Sequence, residues 1–175
     1  GIVNTALSAL GYGVGASTVD EKQLERAAWC AGQTKAVMPL DVIVGDAAGI
    51  HARQVYVPRE AVPLCKKTEA ILDIGPETIR LYASYIKKAQ TIVWNGAMGH
   101  FEQPPYDVGT KAIARLVASR SKGRVYGVIG GGETVQAMEL VGHIADIDLV
   151  STGGGAMLEF LAGEKLPGIE ALKKR

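Results

Sequence analysis

Apolar residues follow two different periods along this chain. Around Leu24, Ala27 and Ala28, around Ile79, Tyr82 and Ile86, and around Ile113, Leu116 and Val117 they recur every three or four positions, one face of a helix. The runs Asp41–Val44, Thr91–Trp94, Arg124–Ile129 and Ile147–Val150 are too short for helices and rich in β-branched residues, so they predict buried strands. Asn4 to Leu10 predicts a short helix stopped by Gly11. Ser17 or Thr18 is placed to cap the next helix, with Asp20 and Glu21 in its first turn and its end near Gly32. His51 to Val57 alternates weakly, as a marginal strand or hairpin arm. Gly75-Pro76 opens a helix with proline at its first position, and Thr110 begins another after a long loop over 95–109. Two runs repeat one plan. Gly130-Gly131-Gly132 leads to a helix over Thr134–Val141, and Gly153-Gly154-Gly155 to one over Met157–Leu161. Strands alternating with amphipathic helices predict a single domain over 1–175, α/β, with a Rossmann-like three-layer αβα arrangement and a mostly parallel sheet. Ligands bind such sheets beyond the carboxyl ends of the strands. The three glycine-rich loops occupy that position, and all three are expected to open on one edge.

Composition narrows the chemistry. The 175 residues are 47% hydrophobic and 21% charged, ordinary globular usage, with a formal charge of +1. No clustered basic surplus marks a nucleic-acid partner. Cys30 and Cys65 are isolated, and His51, His100 and His143 form no ligand cluster, so a disulfide framework or structural metal site is not expected and a reducing cytoplasm fits. Residues 1–19 carry no charge, but their glycines interrupt the run too early for a membrane span. The opening on Gly1 suggests a piece of something longer. Glycine, at 22 residues, is the excess that matters.

Each triglycine run follows a strand and precedes a helix. Without Cβ atoms the backbone approaches a ligand closely, and free N–H groups at a helix start favour phosphate oxygens; alternatively the glycines serve only tight turns. Glu133, at the mouth of the first run, suits Mg²⁺ beside a phosphate or supports the helix N-terminus electrostatically. Asn95 and Glu102 flank the third loop and offer bonds to ribose hydroxyls or amide edges, or act as loop residues. Gly11-Tyr12-Gly13-Val14-Gly15-Ala16 matches a dinucleotide fingerprint in form alone, because helix precedes it and no acidic residue follows at the required distance. No Gly-Lys-Ser/Thr loop occurs.

Trp94-Asn95-Gly96-Ala97-Met98-Gly99-His100-Phe101-Glu102, Gly130-Gly131-Gly132-Glu133-Thr134, Ser151-Thr152-Gly153-Gly154-Gly155-Ala156 and Leu166-Pro167-Gly168 together resemble the phosphoglycerate kinases. Leu72-Asp73-Ile74-Gly75-Pro76 and Gly1-Ile2-Val3-Asn4-Thr5 match in the same order. The resemblance covers essentially the whole chain, as most of the family's C-terminal nucleotide-binding domain, with the sheet incomplete at its N-terminal side. It implies phosphoryl transfer from 1,3-bisphosphoglycerate to ADP, giving 3-phosphoglycerate and ATP with Mg²⁺. It also implies ribose bonding by Glu102, nucleotide phosphates and metal along Gly131, Gly132, Glu133 and Thr134, and catalytic amides at Gly153, Gly154 and Gly155. Gly1 and Leu72 are expected to border the adenine, with Asn95 nearer the phosphates. The family usually has Asp where Glu133 stands, Pro and Val where Ala97 and His100 stand, and commonly Lys at Ala16. Its N-terminal domain, which holds the phosphoglycerate, has no counterpart here. The segment alone is expected to be inactive and marginally stable, and the parent enzyme a monomer without nucleic-acid or membrane partners. The alternative is a non-catalytic nucleotide- or phosphate-binding module of the same fold.

Overall fold

The computed structural model describes residues 1–123 and 125–173. They gather into two compact units, Gly1–Ser84 with Met98–Ala112, and Tyr85–Ala97 with Ile113–Arg175. Among the described residues no helix is long and apolar enough to cross a membrane.

In the first unit, β1 (Asp41–Gly45) lies between β2 (Arg53–Tyr56) and β3 (Ala70–Ile74), antiparallel to both. Val42 and Val44 of β1 are buried with Leu7, Val14, Leu64 and Ile71 in the core. The weak alternation near His51 becomes the exposed edge strand β2. The sequence pattern did not point to β3, because Asp73 interrupts its apolar run. α1 (Ile2–Ala9) buries Asn4 through Leu7, and Asn4 Nδ2 donates to Ile71 O at 3.4 Å. The Gly11–Ala16 stretch follows this helix, as expected, and makes isolated bridges to Pro63 and Ala70. α2 (Leu24–Ala31) ends at Gly32, as expected. Its preceding 3₁₀ turn is capped by Asp20, which accepts from Lys22 N, rather than by Ser17 or Thr18. Ser17 is committed elsewhere, its hydroxyl accepting from Ile71 N at 2.8 Å.

Three of this unit's buried carboxylates, Asp41, Glu69 and Asp73, organise it. Asp41, fully buried, caps α3 (Pro76–Ile86): its Oδ1 accepts from Thr78 N at 2.7 Å and its Oδ2 from Glu77 N at 3.1 Å and Gln54 Nε2 at 2.6 Å. A Cβ on Gly75 would lie 2.2 Å from Asp41 Cγ, so glycine is required there. Glu69 receives both guanidinium nitrogens of Arg53, at 2.7 and 2.9 Å. That bidentate pair, with Lys66 N, holds its carboxyl down at about 2. Asp73 is different. Burial pushes it up to about 7, against bonds from Gly109 N and Ile74 N that favour the ionised form. Asp107, itself paired with Lys111, adds repulsion.

The second unit holds the parallel part of the fold. β4 (Thr91–Asn95), β5 (Tyr126–Gly130) and β6 (Leu149–Ser151) run in that order, with Asn95 opposite Gly130 and Gly130 opposite Ser151. The expected strand over 124–129 is thus β5, Arg124 lying outside the described residues. Ile92, Trp94, Ile129 and Met138 are buried there. α4 (Val108–Arg120) begins before Thr110. α5 (Gly132–Leu140) and α6 (Gly154–Leu161) begin at their glycines, two or three residues earlier than their apolar residues indicate. A further helix, α7 (Pro167–Lys173), follows.

Asp41→Ala is expected to lower the unfolding free energy by about 3 kcal/mol, measured by urea denaturation, because it removes a helix cap and orphans buried amides. Asp73 supplies a pH dependence of defined sign. Its native pKa lies above the ordinary 3.8, so its contribution is complete below about pH 4 and is lost as pH rises through about 7. Glu69 acts oppositely: its contribution is present above its ordinary 4.5 and is lost as pH falls towards about 2. Denaturation at several pH values is expected to show that Asp73→Asn removes a slope of about one proton between about pH 4 and 7.

Candidate functional site

The parallel register of β4, β5 and β6 sends all three of their following loops out from one edge of the sheet, as expected from the sequence. β5 ends at Gly130, and Gly131 turns the chain into α5 with φ +88°, a conformation that favours glycine. β6 ends at Ser151, and Gly153 precedes α6. The two turns touch: a Cβ on Gly154 would lie 2.7 Å from Gly131 Cα and 2.9 Å from Gly131 N. A Cβ on Gly130 would meet Met157 Cε at 2.3 Å. Around Gly132 and Gly155 a Cβ would meet nothing within 4 Å.

Neither helix start has a side-chain cap. Helical bonding begins with Val135 N to Gly131 O at 3.1 Å and Met157 N to Gly153 O at 2.9 Å. The first-turn amides of Gly132, Glu133 and Thr134, and of Gly154, Gly155 and Ala156, therefore have no acceptor inside their own helices. Two neighbouring helix starts with this property form an electropositive edge suited to an anion. Asn95 joins them: its Nδ2 donates to Gly154 O at 3.4 Å. Thr134 is fully buried, and its hydroxyl accepts from Gly96 N at 2.6 Å, tying the loop after β4 to α5. Asn95, Gly131, Thr134 and Gly154 are thus brought together, while Gly132, Glu133, Gly153 and Gly155 face solvent.

The remaining sequence-derived residues lie in the first unit. Leu72, half-buried on β3, accepts from His100 N at 2.7 Å, so it adjoins the loop that carries Glu102. Glu102 is exposed, with Oε2 3.6 Å from His100 Nδ1. Gly1 is the N-cap of α1, where its carbonyl accepts from Thr5 N and the Thr5 hydroxyl. Sequence reasoning missed two residues that hold the Glu102 loop, Asp73 and Thr110. The Thr110 hydroxyl accepts from Met98 N at 3.0 Å and Gly99 N at 3.1 Å. Asp73 Oδ2 accepts from Gly109 N at 2.7 Å. A charged residue inside an apolar strand run was the available signal for Asp73; Thr110 carried none beyond its place near a helix start.

The donor set also bears on Mg²⁺. Among the described residues no three His, Cys, Asp or Glu side chains gather into a metal-binding group, so these residues build no all-protein cage. A single exposed carboxylate, Glu133, in the first turn of α5 beside bare amides fits the usual Mg²⁺ arrangement of one carboxylate completed by phosphate oxygens and water.

A family model described as phosphoglycerate kinase matches residues 1–164. The phosphoglycerate kinase of Desulfovibrio desulfuricans is 42% identical over 178 residues, which cover 100% of this chain and 45% of that protein. That of Azorhizobium caulinodans is 40% identical over 180 residues, 99% of this chain and 45% of the relative. The structure of phosphoglycerate kinase from Coxiella burnetii superposes with a TM-score of 0.82 at 37% identity, covering 100% of this chain and 45% of that one. The chain therefore spans less than half the length of these relatives, and matches their C-terminal part. Its fold is α/β and Rossmann-like. On the family model and these relatives, the chain belongs to the phosphoglycerate kinase family.

Proposed function

We propose that this chain supplies the MgADP/MgATP site of a phosphoglycerate kinase acting in the cytoplasm. The reaction is reversible phosphoryl transfer from 1,3-bisphosphoglycerate to ADP, giving 3-phosphoglycerate and ATP. The observation that carries this reading is the pair of uncapped helix starts, α5 and α6, brought into backbone contact at Gly131 and Gly154 on the carboxyl edge of the parallel strands. In the second unit, the amides of Gly131, Gly132, Glu133 and Thr134 line the nucleotide phosphates. Those of Gly153, Gly154 and Gly155 face the phosphoryl group in transit. Asn95 holds the two loops together beside them. Such a group carries its charge on oxygens that fixed amide dipoles stabilise without reorganising, which suits a chemistry dominated by positioning and charge. Glu133 would hold Mg²⁺, which neutralises phosphate charge when bound. In the first unit, Glu102 bonds the ribose hydroxyls, and Gly1 and Leu72 border the adenine. The phosphoglycerate is held by a separate N-terminal domain, and the enzyme acts as a monomer that engages neither nucleic acid nor membrane.

Calorimetric titration tests the phosphate end. MgADP is expected to bind the 175-residue chain, and Glu133→Gln to weaken MgADP by about tenfold more than metal-free ADP; equal losses reduce Glu133 to a helix-end charge. Gly154→Asp, which puts a carboxylate among the amides and collides with Gly131, is expected to abolish binding. A coupled assay of the 175-residue chain alone is expected to give no turnover. Persistent absence of turnover after the phosphoglycerate-holding domain is added would instead identify a binding module without catalysis.

A further inference from the structure

The segment over 98–109 in the first unit, the loop together with the first two residues of α4, is held far more firmly than its glycines and prolines suggest. Both of its ends press on one carboxylate: a Cβ on Gly99 would lie 2.4 Å from Asp73 Oδ1, and one on Gly109 2.3 Å from the same atom. Neither end therefore tolerates a side chain. Gly109 N donates to Asp73 Oδ2 at 2.7 Å, while Met98 N and Gly99 N both donate to the hydroxyl of Thr110, a residue with no exposed surface. His100 N is fastened to Leu72 O at 2.7 Å. Phe101 and Tyr106 are sunk into the interior, and the Tyr106 hydroxyl donates to Asp46 O at 2.7 Å. Local bonds from Phe101 N to Gly99 O, Gln103 N to His100 O and Tyr106 N to Gln103 O fix the backbone between. Among these fixed points Glu102 stays exposed, its Oε2 3.6 Å from His100 Nδ1.

We propose that Thr110, together with Asp73, is the positioning pair for Glu102: by clamping both ends of the 98–109 loop it presents the Glu102 carboxylate to the ribose hydroxyls of a bound nucleoside diphosphate. This rests on the reading of Glu102 as the ribose contact. Thr110 touches no ligand; it acts through the loop. A carboxylate on an unfastened loop would have to be ordered at the moment of binding, and the entropy lost would cancel much of its hydrogen bonding. A carboxylate held by its supporting shell makes the same bonds without that loss. Threonine suits the task because one hydroxyl oxygen accepts two amide hydrogens, and valine, of the same shape, leaves both amides without an acceptor.

The test compares ADP with its 2′,3′-dideoxyribose analogue, both with Mg²⁺, by calorimetry on the 175-residue chain, together with hydrogen exchange of the loop amides. Thr110→Val is expected to weaken ADP by about tenfold and the analogue hardly at all, and to speed exchange at Met98 and Gly99. Thr110→Ser, which keeps the oxygen, restores the preference for ADP. Thr110→Val adds nothing in a Glu102→Ala background. Should Thr110→Val fail to fold, Asp73→Ala, which leaves Gly109 N without that acceptor, carries the same comparison at the other clamp. Equal weakening of ADP and the analogue, or an intact preference for ADP in Thr110→Val, overturns the proposal. If the unmodified chain makes no distinction between the two nucleotides, the ribose reading of Glu102 fails. Faster exchange at Met98 and Gly99 in Thr110→Val then still identifies the clamp, and unchanged exchange overturns that too.

Discussion

Gly131 and Gly154 meet backbone to backbone, and what the second unit presents at its carboxyl edge depends on that contact excluding side chains. The level register of Asn95, Gly130 and Ser151 starts the three loops at one height. The absence of Cβ atoms then lets the two turns close on each other, so that α5 and α6 begin next to one another. Capping side chains at Gly131 and Gly153 would have satisfied the first-turn amides locally; without them the amides are left to water or to an anion. Asn95 bridges this pair from the third loop by donating to Gly154 O, and Thr134 holds that loop by accepting from Gly96 N. Steric permission, dipole direction and hydrogen bonding therefore converge on the same few residues.

The first unit solves a different problem, keeping Asp41, Glu69 and Asp73 away from water. An ionised carboxyl in an apolar interior is costly unless hydrogen bonds or a partner charge replace its hydration. Asp41 finds amides, an amide side chain and the Thr78 hydroxyl, and becomes the fixed point from which α3 departs. Glu69 finds a guanidinium and is held strongly acidic. Asp73 has two amide donors and, among the described residues, no partner cation at its carboxylate, and desolvation wins. The least compensated of the three sits where both ends of the Glu102 loop converge.

Much of this was visible in the residue pattern, for stated physical reasons. The triglycine runs between strand and helix marked the carboxyl edge correctly, because repeated glycine between two periodic segments has few other uses. Helix boundaries were read late at α5 and α6, since glycine is a poor helix former and Gly132, Gly154 and Gly155 contribute no apolar period. α7 was missed for a similar reason, with Pro167 and Gly168 at its start. β3 escaped because a buried Asp in a strand contradicts the apolar pattern by which buried strands are recognised. The cap of the 3₁₀ turn before α2 was misassigned because Ser17, Thr18 and Asp20 are all competent caps, and only tertiary structure shows that Ser17 is engaged with Ile71 N. The roles of Asp73 and Thr110 were illegible for the same reason: their partners are backbone amides, which one-dimensional patterns do not display.

The glycines of the two runs are not equivalent. Gly130, Gly131 and Gly154 are required by close neighbours or by backbone conformation, whereas Gly132 and Gly155 look onto empty space. Alanine at the latter two asks nothing of the fold's packing, so a saturation scan scored separately for abundance and for ligand retention would divide each triplet. Architecture would account for the intolerant positions, and any intolerance at Gly132 or Gly155 would be the footprint of whatever occupies the space in front of them.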